Sequence, residues 1–312
     1  MILISGATGF IGRSLVTRLA QDGKDVRCLI RPSRRSPRLP RGVPVEVAMA
    51  HLDDLRGLRA AMADVECVFH LAGAEWRGGQ SELMQVDVAG TRAMVEAARE
   101  ARVSRLVYLS HLGADRGSAY PVHRAKGIAE EFVKASGLPY TIFRSAIVFG
   151  REDVFTNAIA MVLKALPFVF PMPGDGRVLL QPLWVEDLTT CMAWSLEDRG
   201  YLNQTISLGG PEAHSFLDLV RMIMTRIGVR RFPLSVRAPY LRAVAWWLEG
   251  ILPRSPLTPR WLDYLAVSRT GELISVTRHF GLKPARFEPT LGHLEQRRWR
   301  RELLRFIFGR QP

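Results

Sequence analysis

Three glycines carry the first chemical signal. Gly6, Gly9 and Gly12 fall in the run Gly6-Ala7-Thr8-Gly9-Phe10-Ile11-Gly12, directly after the apolar stretch Ile2–Ser5. Glycines at such a place turn the chain tightly and let backbone N–H groups approach a pyrophosphate at a helix N-terminus. The spacing is G-x-x-G-x-x-G rather than the commoner G-x-G-x-x-G, so its setting between strand and helix gives it weight. About twenty residues past such a turn, NAD-preferring sites place an Asp or Glu on the ribose 2′-OH. This chain instead has Arg31, with Arg34 and Arg35 close behind. A guanidinium there complements a 2′-phosphate, which favours NADP(H) over NAD(H); the competing reading is a solvated basic loop.

A strand, a turn and a helix must hold these residues, and the pattern supplies them. Apolar, β-branched runs predict strands at 2–5, 25–30, 43–48, 66–71, 105–110 and 140–144. Helical spacing predicts helices at 53–62, 82–101 and 124–134, besides the one that follows the glycine turn. Alternating strands and helices mean a parallel sheet covered on both faces. The expected fold is α/β, a Rossmann-type doubly wound parallel sheet with a smaller interwoven C-terminal cap region. Residues 1–150 form the expected dinucleotide domain, with return segments near 176–210. Residues 151–312, where glycine and proline interrupt the alternation, form the expected substrate or cap region, ending in a basic amphipathic helix.

The 312 residues are 47% hydrophobic and 23% charged, which excludes a disordered chain. No apolar run reaches the length of a membrane span. Cys28, Cys67 and Cys191 are too far apart in sequence to suggest a metal pair or a disulfide framework, and the seven histidines show no ligand spacing. No targeting segment precedes the first strand, so the expected location is cytoplasmic, or peripheral on the inner face of a membrane.

The net charge is +13, and it is uneven: residues 230–312 hold 16 basic and 6 acidic side chains. Two segments stand out there. Pro239–Leu252 carries Trp246 and Trp247 in an apolar, helix-compatible run. Leu291–Phe308 combines Arg297, Arg298, Arg300, Arg301 and Arg305 with Trp299, Leu303, Leu304, Phe306, Ile307 and Phe308. Arginine with tryptophan and leucine on a short helix suits an anionic membrane surface or an acidic face of a membrane protein complex. The competing reading is a terminal helix packed on its own domain with solvated arginines. No nucleic-acid-binding signature is present, so no nucleic acid partner is expected.

With these residues placed, the chain resembles the atypical or extended short-chain dehydrogenase/reductases, the NAD-dependent epimerase/dehydratase-like proteins. The resemblance spans about residues 1–290. It rests on the glycine turn, VFHLAG at 68–73, VDVAGT at 86–91, LVYLS at 106–110, RAKG around Lys126, FRSAIVFG at 143–150 and QPLWVEDL at 181–188. That last segment, SLGGPE at 207–212 and the arginine-rich end resemble the branch containing the nucleotide-binding accessory subunit of respiratory complex I.

The resemblance implies roles for individual residues. Gly6, Thr8, Gly9, Phe10, Ile11 and Gly12 would hold the pyrophosphate, and Arg31 and Arg35 the 2′-phosphate. His51 and Leu52 occupy the adenine-contacting segment, where the family carries Gly-Asp-Leu. Leu71, Ala72 and Gly73 would line the adenosine side. Lys126 would bond the nicotinamide ribose, and Ser145 and Ile147 lie toward the nicotinamide end. Asn157, Arg177 and Gln181 fall where relatives place substrate contacts. Asp87 stands where the family has Asn.

Active relatives place a tyrosine four residues before the lysine, on the same helix face, as general acid/base. Here that position is Val122, which has no titratable proton, and the usual serine position is Leu112. Tyr120, His123 and His111 are the available substitutes; His111 is the one whose imidazole would suit acid/base work at the nicotinamide. The expected function is an NADP(H)-binding protein without Tyr-Lys catalysis, an accessory or assembly subunit at a membrane complex. The alternative is an active NADP-dependent reductase, epimerase or dehydratase on a sugar-nucleotide, steroid-like or isoprenoid-like substrate.

Overall fold

A computed structural model describes residues 1–33, 36–74, 80–252, 255, 258–295 and 299–308. Arg34, Arg35, Arg297 and Arg298, and the side chains of Arg300 and Arg305, lie outside the described residues. The chain divides into two units. The first comprises Met1–Ser145, Val185–Leu208 and Arg278–Leu282; the second comprises Ala146–Trp184, Gly209–Thr277 and Lys283–Pro312.

The first unit alternates strand and helix: β1 (Ile2–Ser5), α1 (Phe10–Gln21), β2 (Val26–Ile30), β3 (Glu46–Met49), α2 (Leu55–Ala61) and β4 (Cys67–His70). There follow α3 (Gln80–Leu83), α4 (Gly90–Glu100), β5 (Arg105–His111), α5 (Pro121–Lys134) and β6 (Tyr140–Ser145). The strand Gln204–Leu208 then pairs with β6, in register Ile206 with Phe143. The result is a seven-stranded sheet in the order Gln204–Leu208, β6, β5, β4, β1, β2, β3. Every pairing in it is parallel. This is the Rossmann-type sheet that the alternation predicted.

Strand side chains alternate between faces. On one face Leu3, Leu29, Val68, Leu106, Tyr108 and Ile142 form a single buried cluster with Leu58 of α2, Met94 and Ala98 of α4, and Ala129 and Val133 of α5. Elsewhere α1 packs on the helix Val185–Trp194, where Ser14 Oγ meets Thr189 Oγ1 at 3.1 Å and Arg18 donates to Thr190 Oγ1 at 2.8 Å. Buried Arg105 ties β5 to its neighbours: it donates to Thr141 Oγ1 at 2.7 Å and to the Ser195 carbonyl at 2.6 Å.

Three boundaries differ from the sequence expectation, each for a local reason. Strand β3 pairs only from Glu46, because Pro44 has no N–H to give the ladder. Helix α5 begins at Pro121 rather than at 124, since proline is preset for the first helical position. The helix expected over 82–101 is interrupted by a π-helical turn over Met84–Ala89, which inserts an extra residue per turn and is common at functional sites.

The second unit is built around helices Phe155–Ala165 and Phe216–Arg226 and three two-stranded ladders. Phe155, Phe170, Phe216 and Trp261 form its aromatic centre, with Phe155 stacked on Trp261 at 5.8 Å. Helix Ala238–Ile251 follows the strand Phe232–Val236. The helix expected across 291–308 is instead a 3₁₀ turn at Leu291–Leu294 and a helix at Trp299–Phe308. No helix among the described residues is long and apolar enough to cross a membrane.

Candidate functional site

The sheet order reverses direction between β1 and β4, and open α/β sheets bind ligands at the carboxyl ends of strands on such a boundary. Both strands end in the segments singled out by sequence. Gly6 turns with φ +76°, and a Cβ there would lie 2.8 Å from both Ala72 N and the Leu71 carbonyl carbon. A Cβ at Gly12 would lie 2.1 Å from the Gly6 oxygen. Glycine is therefore required at both positions, one for the turn and one for the seating of α1. Gly9 caps α1 without any side-chain hydrogen bond, and its own N–H donates to the Gly6 oxygen at 2.9 Å. The first turn of α1, from Phe10 onward, contains no acidic residue. A bare helix N-terminus with an exposed glycine at its mouth fits a dinucleotide pyrophosphate. Thr8 keeps its carbonyl on Arg13, at 2.5 Å.

The other cofactor candidates sit on separate elements. Arg31 is exposed just beyond β2. His51 is exposed after β3, while Leu52 sits against Gly90, where a Cβ would approach its Cδ1 to 2.8 Å. Leu71 donates its N–H to the Ser5 oxygen at 3.1 Å, which draws the β4 loop over β1. Ser145 is buried at the end of β6 and donates to the Ser110 carbonyl at 3.4 Å. Ile147 belongs to the second unit, where its carbonyl accepts from Leu183 N at 2.8 Å.

Beneath the β4 loop lies a buried ion pair. Lys126 Nζ stands 3.1 Å from Asp87 Oδ1 and donates to the Leu109 carbonyl at 3.3 Å. It also lies 5.3 Å from the centre of the Tyr108 ring. Asp87, fully buried on the π-helical turn, accepts from Ala74 N at 2.8 Å through its other oxygen. A Cβ on Gly73 would meet Asp87 Oδ1 at 2.9 Å and Lys126 Nζ at 3.2 Å. The loop thus closes directly on the pair. The substitution of Asp for the family's Asn was visible in sequence; its partnership with Lys126 was not.

His70 is the next link. Its Nδ1 meets Ser5 Oγ at 2.6 Å and its Nε2 meets Thr91 Oγ1 at 3.0 Å. Thr91 donates its hydroxyl proton to the Asp87 carbonyl at 2.6 Å, so it accepts from His70 Nε2–H, and Nδ1 accepts from Ser5. The imidazole is neutral: burial, then the Lys126 ammonium, pushes its pKa down to about 3. Both ring nitrogens are thus engaged inside the first unit.

At the far end of β5 the expected proton donor is missing. Val122 is buried with Ala74, Leu83 and Ala125 in an apolar cluster. Leu112 is also buried. His123, which a simple helical wheel turns away from the Lys126 face, is buried edge-on to the His111 ring at 4.8 Å. Tyr120, the residue before α5, stands edge-on to His123 at 5.9 Å. His111 Nδ1 meets the Leu112 carbonyl at 3.0 Å. The pairing of these two imidazoles depends on a turn between β5 and α5 that residue spacing does not specify.

The three positions suggested as substrate contacts lie in the second unit. Asn157 donates to the Asp153 carbonyl at 2.7 Å. Gln181 donates to the Gly210 carbonyl at 2.6 Å and accepts from Gly271 N at 2.7 Å. Both amides are thus engaged within their own unit, whereas Arg177 is exposed. Among the described residues no group of histidine, cysteine or acidic side chains could hold a metal ion. Burial pushes the thiols of Cys28 up to about 11 and of Cys67 and Cys191 up to about 12, so none is a nucleophile at neutral pH.

Residues 6–159 match the model of a family described as NAD(P)H-binding. The chain resembles that family over these residues, about half of its length. A relative, subunit 9 of the NADH dehydrogenase (ubiquinone) 1 alpha subcomplex of Arabidopsis thaliana, is 32% identical over 247 residues, covering 76% of this chain and 60% of its own length. A ceramide reductase of Caulobacter vibrioides is 32% identical over 189 residues, covering 60% of this chain and 58% of its own. The chain therefore spans less than two thirds of either relative. Its fold also matches the solved structure of an NADPH-dependent quinone oxidoreductase of Escherichia coli complexed with NADPH. That match has a TM-score of 0.75 at 20% identity and covers 94% of this chain and 99% of the other.

Two outcomes follow from the buried pair and its neighbour. Asp87→Ala leaves the Lys126 ammonium buried without its carboxylate and costs about 3 kcal/mol of stability, measured by urea unfolding. His70 takes up no proton until about pH 3 when folded, but does so near 6.5 when unfolded. Its contribution to stability is present above pH 6.5 and is lost as the pH falls toward 3. His70→Gln flattens the pH dependence of unfolding across that window.

Proposed function

We propose that the chain holds NADP(H) at the Gly6–Gly12 turn and serves as an accessory or assembly subunit at a membrane complex such as respiratory complex I. It does so without Tyr-Lys proton transfer. The observation that carries this reading is Val122, an apolar side chain buried among Ala74, Leu83 and Ala125 where an acid/base would stand. Gly6, Thr8, Gly9, Phe10, Ile11 and Gly12 take the pyrophosphate on backbone amides. Arg31 and Arg35 take the 2′-phosphate, which selects NADP(H) over NAD(H). His51 and Leu52 face the adenine, and Leu71, Ala72 and Gly73 the adenosine. Lys126, held by Asp87, donates to the nicotinamide ribose, and Ser145 and Ile147 bound the nicotinamide end.

When bound, the dinucleotide supplies hydride chemistry; these residues bind and orient it. The similarity to an NADH dehydrogenase subunit supports the accessory role. The setting is cytoplasmic or on the inner face of a membrane.

A second reading is favoured by the His111–His123 contact and by the similarity to a ceramide reductase. There the chain is an active NADP-dependent enzyme of a sugar-nucleotide, steroid-like or isoprenoid-like substrate, with His111 as acid/base. Substrate-dependent hydride transfer lost in His111→Ala and Lys126→Ala would replace the first reading with this one.

The cofactor preference is tested at Arg31. Removing one charge-assisted contact costs about tenfold in affinity. Arg31→Ala therefore binds NADPH about tenfold more weakly in a fluorescence titration, with NADH binding unchanged. An equal loss for both would remove the 2′-phosphate role.

A further inference from the structure

Helix Ala238–Ile251 has two apolar faces, and only one of them is covered by the described residues of its unit. Leu241 and Ala245 are buried with Leu262, and Val236 packs against them. Tyr240, Val244, Trp247 and Ile251 recur at intervals of four, three and four residues, one continuous helical face. They are 65%, 48%, 61% and 58% exposed, and the adjoining Trp246 is 74% exposed. The only charged side chains on the helix are Arg242 and Glu249. Arg242 is held by Asp263. A helix apolar on both sides is normally covered on both sides.

The neighbouring ladder extends the bare surface. Phe232 N donates to the Phe168 carbonyl at 3.0 Å, and both side chains, 70% and 79% exposed, stand out from the start of their strands. Leu234, two residues on, is exposed as well. Isolated exposed apolar residues are ordinary, but a contiguous set of this kind marks an interaction surface.

We infer that this face, centred on Trp246 and Trp247, docks on an anionic lipid surface. The charge around it selects that occupant. Residues 230–252 hold four arginines and a single glutamate; Arg237, the residue before the helix, is exposed, and so is Arg230, ahead of the strand Phe232–Val236. A second copy of the chain would bring its own +13 against this one, whereas anionic headgroups neutralise it. Tryptophan and tyrosine are the side chains that settle at the headgroup level, with an apolar body and a polar edge. At 14 residues the helix is too short to span the hydrocarbon core and so lies along the interface. The inference deepens the membrane side of the proposed function and rests on that reading for its setting; it does not depend on the dinucleotide site.

The test uses the full chain and its Trp246→Ser/Trp247→Ser variant, both exposed positions outside the candidate dinucleotide site. Sedimentation is measured with vesicles of phosphatidylcholine alone and of phosphatidylcholine mixed with phosphatidylglycerol, and dinucleotide content is read on the same samples. The expected result is binding to the anionic vesicles only, weakened by added salt and accompanied by a blue shift of tryptophan emission. The double variant keeps its thermal midpoint and dinucleotide content but binds about tenfold more weakly and loses the shift. Arg237→Glu weakens binding in the same sense. The inference is overturned if the parent chain ignores anionic vesicles at low salt, or if the double variant binds them equally well. It is also overturned if the tryptophans instead support a concentration-dependent dimer. Vesicle binding without any dinucleotide would sink the cofactor reading and leave this one standing.

Discussion

A carboxylate and an ammonium buried side by side must be solvated by the protein itself, because each loses several kcal/mol of hydration. Asp87 and Lys126 meet that demand from four directions: the Leu109 carbonyl, the Tyr108 ring, the Ala74 amide and each other. These contacts join α5, β5, the π-helical turn and the loop after β4. The π-helical turn is what brings Asp87 to the pair, and glycine at position 73 is what lets the loop close over it. His70 and Thr91 then carry the network back to β1. The candidate dinucleotide site stands on this network.

The same arrangement separates holding a dinucleotide from reacting with it. Phosphate binding needs only backbone amides and close chain approach, and the turn has close chain approach at Gly6 and Gly12. Proton transfer needs a titratable group beside Lys126, and the family position is filled by a buried valine. His111, at the end of β5, and His123, in α5, contact each other edge-on.

The strand–turn–helix frame was legible in sequence because its signals are local. Apolar runs at Ile2–Ser5 and Cys67–His70, glycine spacing and helical periodicity each act over a few residues. Local signals missed the features set by tertiary contact. A uniform apolar pattern across 82–101 conceals the π-helical turn, since the register shift is imposed by the burial of Asp87. The strand Gln204–Leu208 lies at the sheet edge and joins β6 across a separation of 63 residues, Gln204 facing Thr141. For the site, the glycine turn and Lys126 were readable one residue at a time, whereas the Lys126–Asp87 and His111–His123 pairs arise only when separate elements meet.

The charge excess likewise resolves into parts with different physics. Arg105 serves the core, Arg242 and Arg226 pair with acids, and Arg31 is exposed just beyond β2. Of the others, Arg230 and Arg237 are exposed on the second unit, and Arg38, Arg41, Arg56 and Arg102 on the first. The central claim is that the first unit is built to retain NADP(H). Mass spectrometry of the small molecules released when the purified chain is denatured tests it most directly. The account predicts NADP+ or NADPH; release of NAD(H) alone would contradict the 2′-phosphate role of Arg31, and no dinucleotide in any preparation would contradict the claim itself.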